Sequence, residues 1–181
     1  MLITISGVPG SGKTTVARLL AARLGLPHVY AGDLYRQEAK RRGLTLEQFN
    51  ALSESDHTID RRLDDQMTAR ARQGNVVLEG RLAGYLASEH GLEALKVWLG
   101  ASDEVRAHRV AQREGADWQS VLEENRNRHG SDSKRYKTIY GYDLADTGVY
   151  DVVLSTDDQT PEALVETLIA AARRRFDGAV T

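Results

Sequence analysis

The first fifteen residues have the spacing of a phosphate-binding loop. Residues 7–14 match G-x-x-x-x-G-K-[ST] at every fixed position, after an apolar run and before a helical pattern. The glycines let consecutive N–H groups turn toward phosphate oxygens, and the following helix adds its positive N-terminal end. Lys13 can reach the β- and γ-phosphates, and Thr14 can bind the accompanying Mg²⁺. We therefore predict that a nucleoside triphosphate is bound by Gly7, Val8, Pro9, Gly10, Ser11, Gly12, Lys13, Thr14 and Thr15.

Charged residues also follow the second and third apolar runs. Asp33 and Arg36 are three residues apart at the start of a predicted helix, so both side chains can face one cleft. Gly80 and Arg81 come directly after the third run. Taken singly, Asp33 is typical of a helix N-cap, and the two arginines are typical of a solvated surface. Grouped at strand ends beside a triphosphate site, the arginines predict a clamp for a second phosphate, such as a phosphoryl acceptor carries.

Glu79 ends the apolar run Val-Val-Leu at residues 76–78. A carboxylate at a strand end can hold Mg²⁺ through water molecules, because Mg²⁺ keeps several of its waters in proteins. The alternative is an ordinary acid paired with a nearby arginine. We expect Glu79 to act with Thr14 at a metal site.

Arg106, Arg109 and Arg113 lie at i, i+3 and i+7 of one predicted helix. They form either a solvated face or an arm whose guanidinium groups fold over phosphates. Phosphoryl transfer needs positive charge on the transferring group, which favours the second interpretation for Arg109 and Arg113 and leaves Arg106 open.

A second charged group contains Arg128, Asp132 and Arg135, each about one helical turn from the next. A carboxylate beside arginines is commonly a solvated ion-pair network, and that interpretation stays open.

The composition excludes several classes of function. The 181 residues, 41% hydrophobic and 28% charged, are ordinary for one globular domain over residues 1–181. The absence of cysteine rules out disulfides and thiol chemistry, and the five histidines show no metal-ligand spacing. A net charge of −2 and the lack of a long apolar stretch predict no nucleic-acid or membrane partner. We expect a cytoplasmic monomer that acts on small-molecule nucleotides.

Strand and helix patterns alternate along the chain. Strand-like runs occur at residues 2–5, 28–30, 75–79, 95–99 and 150–154. Helical patterns occur at residues 13–24, 32–42, 45–53, 59–72, 102–113, 118–128 and 160 to about 176. No structure is assigned to the polar segment 129–148. The alternation predicts a three-layer α/β fold with a parallel sheet, whose ligands lie beyond the carboxyl ends of the strands.

Several segments resemble the nucleoside monophosphate kinases, and most closely the short archaeal-type cytidylate kinases. They are Gly-Val-Pro-Gly-Ser-Gly-Lys-Thr-Thr at 7–15, Ala-Gly-Asp-Leu-Tyr-Arg at 31–36, Glu-Gly-Arg-Leu-Ala-Gly at 79–84, Ser-Asp-Ser-Lys-Arg-Tyr at 131–136 and Tyr-Asp-Val-Val-Leu-Ser-Thr at 150–156. The likeness runs from about residue 2 to residue 174.

The resemblance implies transfer of the ATP γ-phosphoryl group to CMP or dCMP with Mg²⁺. It implies a P-loop NTPase fold with a five-stranded parallel sheet of order 2-3-1-4-5, an NMP-binding helical segment at about 32–73 and a small lid at about 114–142. The catalytic residues by this match are Lys13, Arg109, Arg113 and Arg128. The CMP-binding residues are Asp33, Arg36, Gly80, Arg81, Asp132 and Arg135.

Two questions stay open at the level of sequence. Cytosine has an exocyclic amino donor where uracil has a carbonyl acceptor, so a carboxylate suits cytosine, and Asp132 and Asp33 are the candidates. The function also has alternatives. One is another small P-loop kinase, adenylate- or shikimate-like, although the motifs usual in those enzymes are missing. The other is an ATP-binding module that acts on RNA or on a protein.

Overall fold

Five strands form one sheet, and each of them is followed by at least one helix. The computed structural model describes residues 1–177, so residues 178–181 of the predicted domain lie outside the described part. The strands are β1 (Leu2–Gly7), β2 (His28–Tyr30), β3 (Val76–Glu79), β4 (Leu95–Gly100) and β5 (Val152–Ser155). The helices in the described chain are α1 (Lys13–Leu24), α2 (Ala31–Arg41), α3 (Leu46–Ser55), α4 (Thr58–Arg72), α5 (Ala83–Glu89), α6 (Asp103–Glu114), α7 (Trp118–Tyr140) and α8 (Pro161–Phe176).

The sheet is parallel throughout, with the order β2-β3-β1-β4-β5 that was expected. Strand β1 lies at its centre, and all six of its residues are buried. In β1 the polar residues Thr4 and Ser6 alternate with Ile3 and Ile5, and all four are buried because a parallel strand at the centre of the sheet is covered on both faces. Because β1 and β3 are parallel, Gly7 at the end of β1 and Glu79 at the end of β3 lie at the same edge of the sheet.

Apolar side chains pack on both faces of the sheet. One core lies against α1 and α8, and its buried members include Ile3, Ile5, Leu20, Leu164 and Leu168. The other lies against α4 and α5, and its buried members include Leu2, Met67, Leu78 and Leu86. The three-layer α/β prediction is thus confirmed.

Two helical segments have small cores of their own. The α2–α4 segment encloses Ala39, Phe49, Ile59 and Leu63. The α6–α7 hairpin encloses Ala107, Val110, Ala111 and Val121. Because each segment buries its own apolar side chains, each can keep its shape as a unit. The α2–α4 segment matches the NMP-binding segment expected at about 32–73, and α7 covers most of the lid expected at about 114–142, whereas α6 lies almost entirely before it. The roles of both segments stay predictions.

The sequence-based prediction of α7 was too short. The helix continues past Arg128 to Tyr140 and ends at Gly141, whose φ of 68° is left-handed. Its second half is polar, but Asp132 and Arg135 are buried against other elements. Tertiary ion pairs, which a local pattern does not contain, stabilise this half.

One further helix was missed, and one strand starts later than predicted. Helix α5 was not predicted, because its seven residues are too few to show a clear period. Strand β5 begins two residues later than expected, at Val152, and Tyr150 before it packs on Trp98 with ring centroids 5.2 Å apart. No helix of residues 1–177 is both long and apolar enough to cross a membrane.

Candidate active site

The phosphate-binding loop is packed tightly against β4 and α6. Gly7 has a φ of 148°, and a Cβ there would lie 2.1 Å from the carbonyl oxygen of Leu99. Gly10 has a φ of 77°, and a Cβ there would lie 2.9 Å from the Cβ of Arg106. Only glycine fits either position, on grounds of both backbone angle and space. The loop therefore has the curled form that turns backbone N–H groups inward.

Lys13 lies over this loop, where its Nζ donates a hydrogen bond to the carbonyl oxygen of Val8 at 2.7 Å. Burial and, next in size, the positive charge of Arg81 lower the pKa of Lys13 to about 7, and the negative charge of Glu79 partly opposes both effects. Arg128 and Arg106 also contribute to the decrease. An anion bound here would stabilise the charged form of a lysine that is surrounded by other cations.

Thr14 and Glu79 meet at the edge of the sheet, as the metal-site prediction requires. The Thr14 hydroxyl donates to Oε1 of Glu79 at 2.6 Å, and Nε2 of His28 lies 2.9 Å from Oε2. Glu79 is fully buried. Residues 1–177 contain no group of three acidic or histidine side chains placed to hold a metal. The pair thus fits a cation that takes most of its ligands from phosphate and water, which is how Mg²⁺ binds.

Helix α6 faces the loop with two of its three arginines. Arg106 is buried, pairs with Asp103, and donates through Nη1 to the carbonyl oxygen of Pro9 at 3.1 Å. Arg109 donates through Nη1 and Nη2 to the hydroxyl and carbonyl oxygens of Thr156, at 2.8 and 2.6 Å. The Thr156 hydroxyl in turn donates to the carbonyl oxygen of Ser11 at 3.0 Å. Both arginines therefore lie at the phosphate loop.

A chain of ion pairs begins beside Lys13 and runs toward α4. The Arg81 guanidinium contacts the Asp132 carboxylate. Asp132 also accepts from Nη2 of Arg135 at 2.8 Å, and Nε of Arg135 lies 2.9 Å from Oδ2 of Asp60. Arg81, Asp132 and Arg135 are nearly buried. Burial lowers the pKa of Arg81 to about 10, so the side chain stays charged at neutral pH.

The remaining predicted residues are more dispersed. Arg36 pairs with Asp33 at 2.5 Å and lies over the Tyr30 ring, with about half of its side chain exposed. Gly80 packs against α2, since a Cβ there would lie 3.0 Å from the Cβ of Ala31. Arg128 is exposed, although its charge acts on Lys13.

Arg113 points away from this group. It pairs with Glu114 at 2.5 Å and is largely exposed. The structure thus brings together the predicted loop, Glu79, Arg81, Arg109, Asp132 and Arg135, and leaves Arg113 apart.

Several residues near the site were missed in the sequence. Asp60 and Asp64 border the apolar stripe of α4. Their positions in the sequence could therefore have predicted that both acids are partly buried. Thr156 follows β5, so the rule that ligands bind beyond strand ends also applied to it. His28 gave no signal, because its contact with Glu79 joins strands 51 residues apart in sequence.

The parallel sheet of order 2-3-1-4-5, with a glycine loop and lysine at the end of its central strand, defines a P-loop nucleotide-binding protein. Similar in fold is a gluconokinase from Sinorhizobium meliloti, with a TM-score of 0.63 and 19% identity over 98% of this chain and 94% of that one.

Residues 2–158 match the cytidylate kinase-like family. A cytidylate kinase from Methanopyrus kandleri is 44% identical over 94% of this chain and 92% of its own length. One from Methanocaldococcus jannaschii is 40% identical over 94% and 97%. The chain therefore belongs to the cytidylate kinase-like family.

Proposed function

We propose that the protein is a nucleoside monophosphate kinase that transfers the γ-phosphoryl group of ATP to CMP or dCMP. The observation that carries this proposal is the position of Arg81, whose charge acts on Lys13 while its guanidinium contacts Asp132. One buried cation thus joins a triphosphate loop to a second anion-binding position. A donor and an acceptor phosphate placed on its two sides meet the requirement of phosphoryl transfer.

The proposed reaction is an in-line transfer to a phosphate oxygen of CMP. That oxygen is already an anion at neutral pH, so no general base is needed. Catalysis then consists of positioning and charge neutralisation. We assign the neutralising role to Lys13, Arg109 and Arg128, and to Arg113 after closure of the α6–α7 hairpin, because Arg113 lies apart from the loop in the free protein. Thr14 and Glu79 would hold Mg²⁺, which supplies further positive charge at the phosphates when bound.

We assign the acceptor side to residues beyond β2 and β3 and on α7, namely Asp33, Arg36, Gly80, Arg81, Asp132 and Arg135. In the free protein the Asp132 carboxylate holds Arg81 and Arg135 in place. The incoming phosphate would compete with that carboxylate for the same donors. Ser131 of α7 donates to Glu54 of α3 at 2.5 Å, so α7 is also connected to the NMP-binding segment.

The direct test is ADP formation from MgATP with CMP, dCMP, UMP, AMP and shikimate offered separately. We expect CMP and dCMP to give rates far above the others. Hydrolysis of ATP without an acceptor should be slow, because closure of the two helical segments excludes water. Equal rates with and without CMP would overturn the proposal and return attention to an ATP-binding module.

The Glu79→Gln variant should need a much higher Mg²⁺ concentration for half-maximal rate, and its kcat should fall by about 10²-fold. The amide can still accept from Thr14 and donate to His28, so the fold should persist. The measurement is CMP-dependent rate against Mg²⁺ concentration. ATP binding in EDTA serves as the control and should not change. An unaltered Mg²⁺ dependence would remove Glu79 from the metal site.

A further inference from the structure

Two acids on α4 face α7 one helical turn apart. Asp60 is 6% exposed and lies 2.9 Å from Nε of Arg135. Asp64 accepts a hydrogen bond at Oδ2 from the hydroxyl of Tyr140, at 2.5 Å. Both contacts cross the cleft between the α2–α4 segment and the α6–α7 hairpin. The cleft wall beyond Arg135 is therefore acidic.

These acids outnumber the cations beside them. Arg135 is shared between Asp132 and Asp60, and within residues 1–177 Asp64 has no ion pair. Burial and, to a smaller extent, the charge of Asp60 raise the pKa of Asp64 to about 7, although the Tyr140 hydrogen bond acts in the opposite direction. A half-buried acid without a cation still destabilises the native state once it ionises, although by less than a fully buried one. The presence of Asp64 is explained if its carboxylate binds a ligand.

The position of Asp64 points to one part of the ligand. The chain of contacts from Arg81 through Asp132 and Arg135 ends at Asp60, and Asp64 lies one turn farther along α4. If the phosphate of a nucleotide lies at Arg81 and the nucleotide extends along this series of ion pairs, its base points toward Asp64.

The two carboxylates suggested by the sequence have other partners in this structure. Asp132 accepts from two guanidinium groups, and Asp33 pairs with Arg36. Asp64 has a neutral hydroxyl as its partner, so it is better suited to accept from a neutral amino group.

We propose that Asp64, oriented by Tyr140, accepts a hydrogen bond from the exocyclic amino group of cytosine and determines the preference for CMP over UMP. Uracil has a carbonyl oxygen at that position, which has no shared proton with the ionised carboxylate, the form of Asp64 that predominates above pH 7. A site built for a specific hydrogen bond can reject the wrong base by up to about 10⁴-fold. The inference rests on the proposed CMP kinase activity.

The test compares kcat/KM for CMP and for UMP in Asp64→Asn and in Asp65→Asn, an exposed neighbour that removes the same charge from α4. In Asp64→Asn we expect the CMP to UMP ratio to fall by at least about 10-fold, because an amide can turn either its donor or its acceptor toward the base. Asp65→Asn should keep the wild-type ratio. Tyr140→Phe should lower the ratio by a smaller factor, because Asp64 then loses its orienting contact.

Thermal stability gives a second readout that separates this role from a structural one. The pKa of Asp64 is about 7 in the native state and 3.8 ordinarily, so between these pH values the native state binds more protons than the unfolded chain. The stability of the wild type therefore falls as the pH rises from about 3.8 to about 7. Asp64→Asn should therefore raise Tm at pH 8 and leave it nearly unchanged at low pH. A lower Tm at pH 8 with an unchanged CMP to UMP ratio would overturn the inference. Absence of CMP phosphorylation in the wild type would instead overturn the proposed function.

Discussion

Replacement of Lys13 by methionine is expected to lower kcat by about 10³-fold or more, since the transferring phosphoryl group loses a fixed positive charge in a site that excludes water. Methionine has a similar length and no charge, so the loop that carries it should persist. The measurement is the CMP-dependent rate of ADP formation at saturating MgATP. Lys40→Met, on the exposed surface of α2, is the matched control and should retain full activity.

The same variant has a predicted dependence on pH. Because the native pKa of Lys13 is about 7 and its ordinary value is 10.5, the unfolded chain binds more protons between these limits, and wild-type stability rises with pH there. Lys13→Met should therefore raise Tm most below pH 7, and the gain should shrink as pH rises toward 10.5. Binding of ATP at pH 8 should draw a proton onto the wild-type lysine, which calorimetry in buffers of different ionisation enthalpy detects.

The outcome for Lys13 separates two descriptions of the loop. If Lys13→Met keeps kcat within a few-fold of wild type, the lysine serves only to support the loop through its contact with Val8. If kcat falls and proton uptake disappears together, the lysine contacts the triphosphate.

Replacement of Arg81 by lysine should also have a large effect: we expect it to lower kcat/KM for CMP by about 10²–10³-fold. The charge is kept, but a lysine lacks the planar fork that can bind a phosphate through two parallel hydrogen bonds. Arg81 is also nearly buried, so solvent cannot replace the lost hydrogen bonds. The measurement is the rate against CMP concentration at saturating MgATP.

Arg72→Lys, an exposed arginine near the end of α4, is the control for the same chemical change. It should leave both kcat and KM unaltered. ATP affinity of Arg81→Lys, measured without CMP, should change far less than kcat/KM for CMP. A loss confined to ATP affinity would move Arg81 from the acceptor side to the donor side.

Local chemistry accounts for the parts of the site that were predicted from sequence. The spacing of Gly7, Gly12, Lys13 and Thr14 defines a loop whose geometry is set by neighbouring residues. Glu79 and Arg81 were predicted because Glu79 ends a strand and Arg81 comes shortly after it, and parallel strands bring their carboxyl ends to one edge. The resemblance to cytidylate kinases added the strand order, which composition and periodicity do not contain. The family and the fold predicted in this way were confirmed.

Contacts between distant segments decided the rest. The burial of Asp132 and Arg135 depends on Arg81 and Asp60, which lie far from them in sequence, so the length of α7 was underestimated. Arg106 was left open because its contact with Pro9 spans 97 residues. The amino-acid sequence by itself determined the phosphate loop, the alternation of strands and helices, and the kinase resemblance. Only the tertiary structure placed Asp64 beside Tyr140, because 76 residues separate them and no local pattern specifies which polar side chains meet across a cleft.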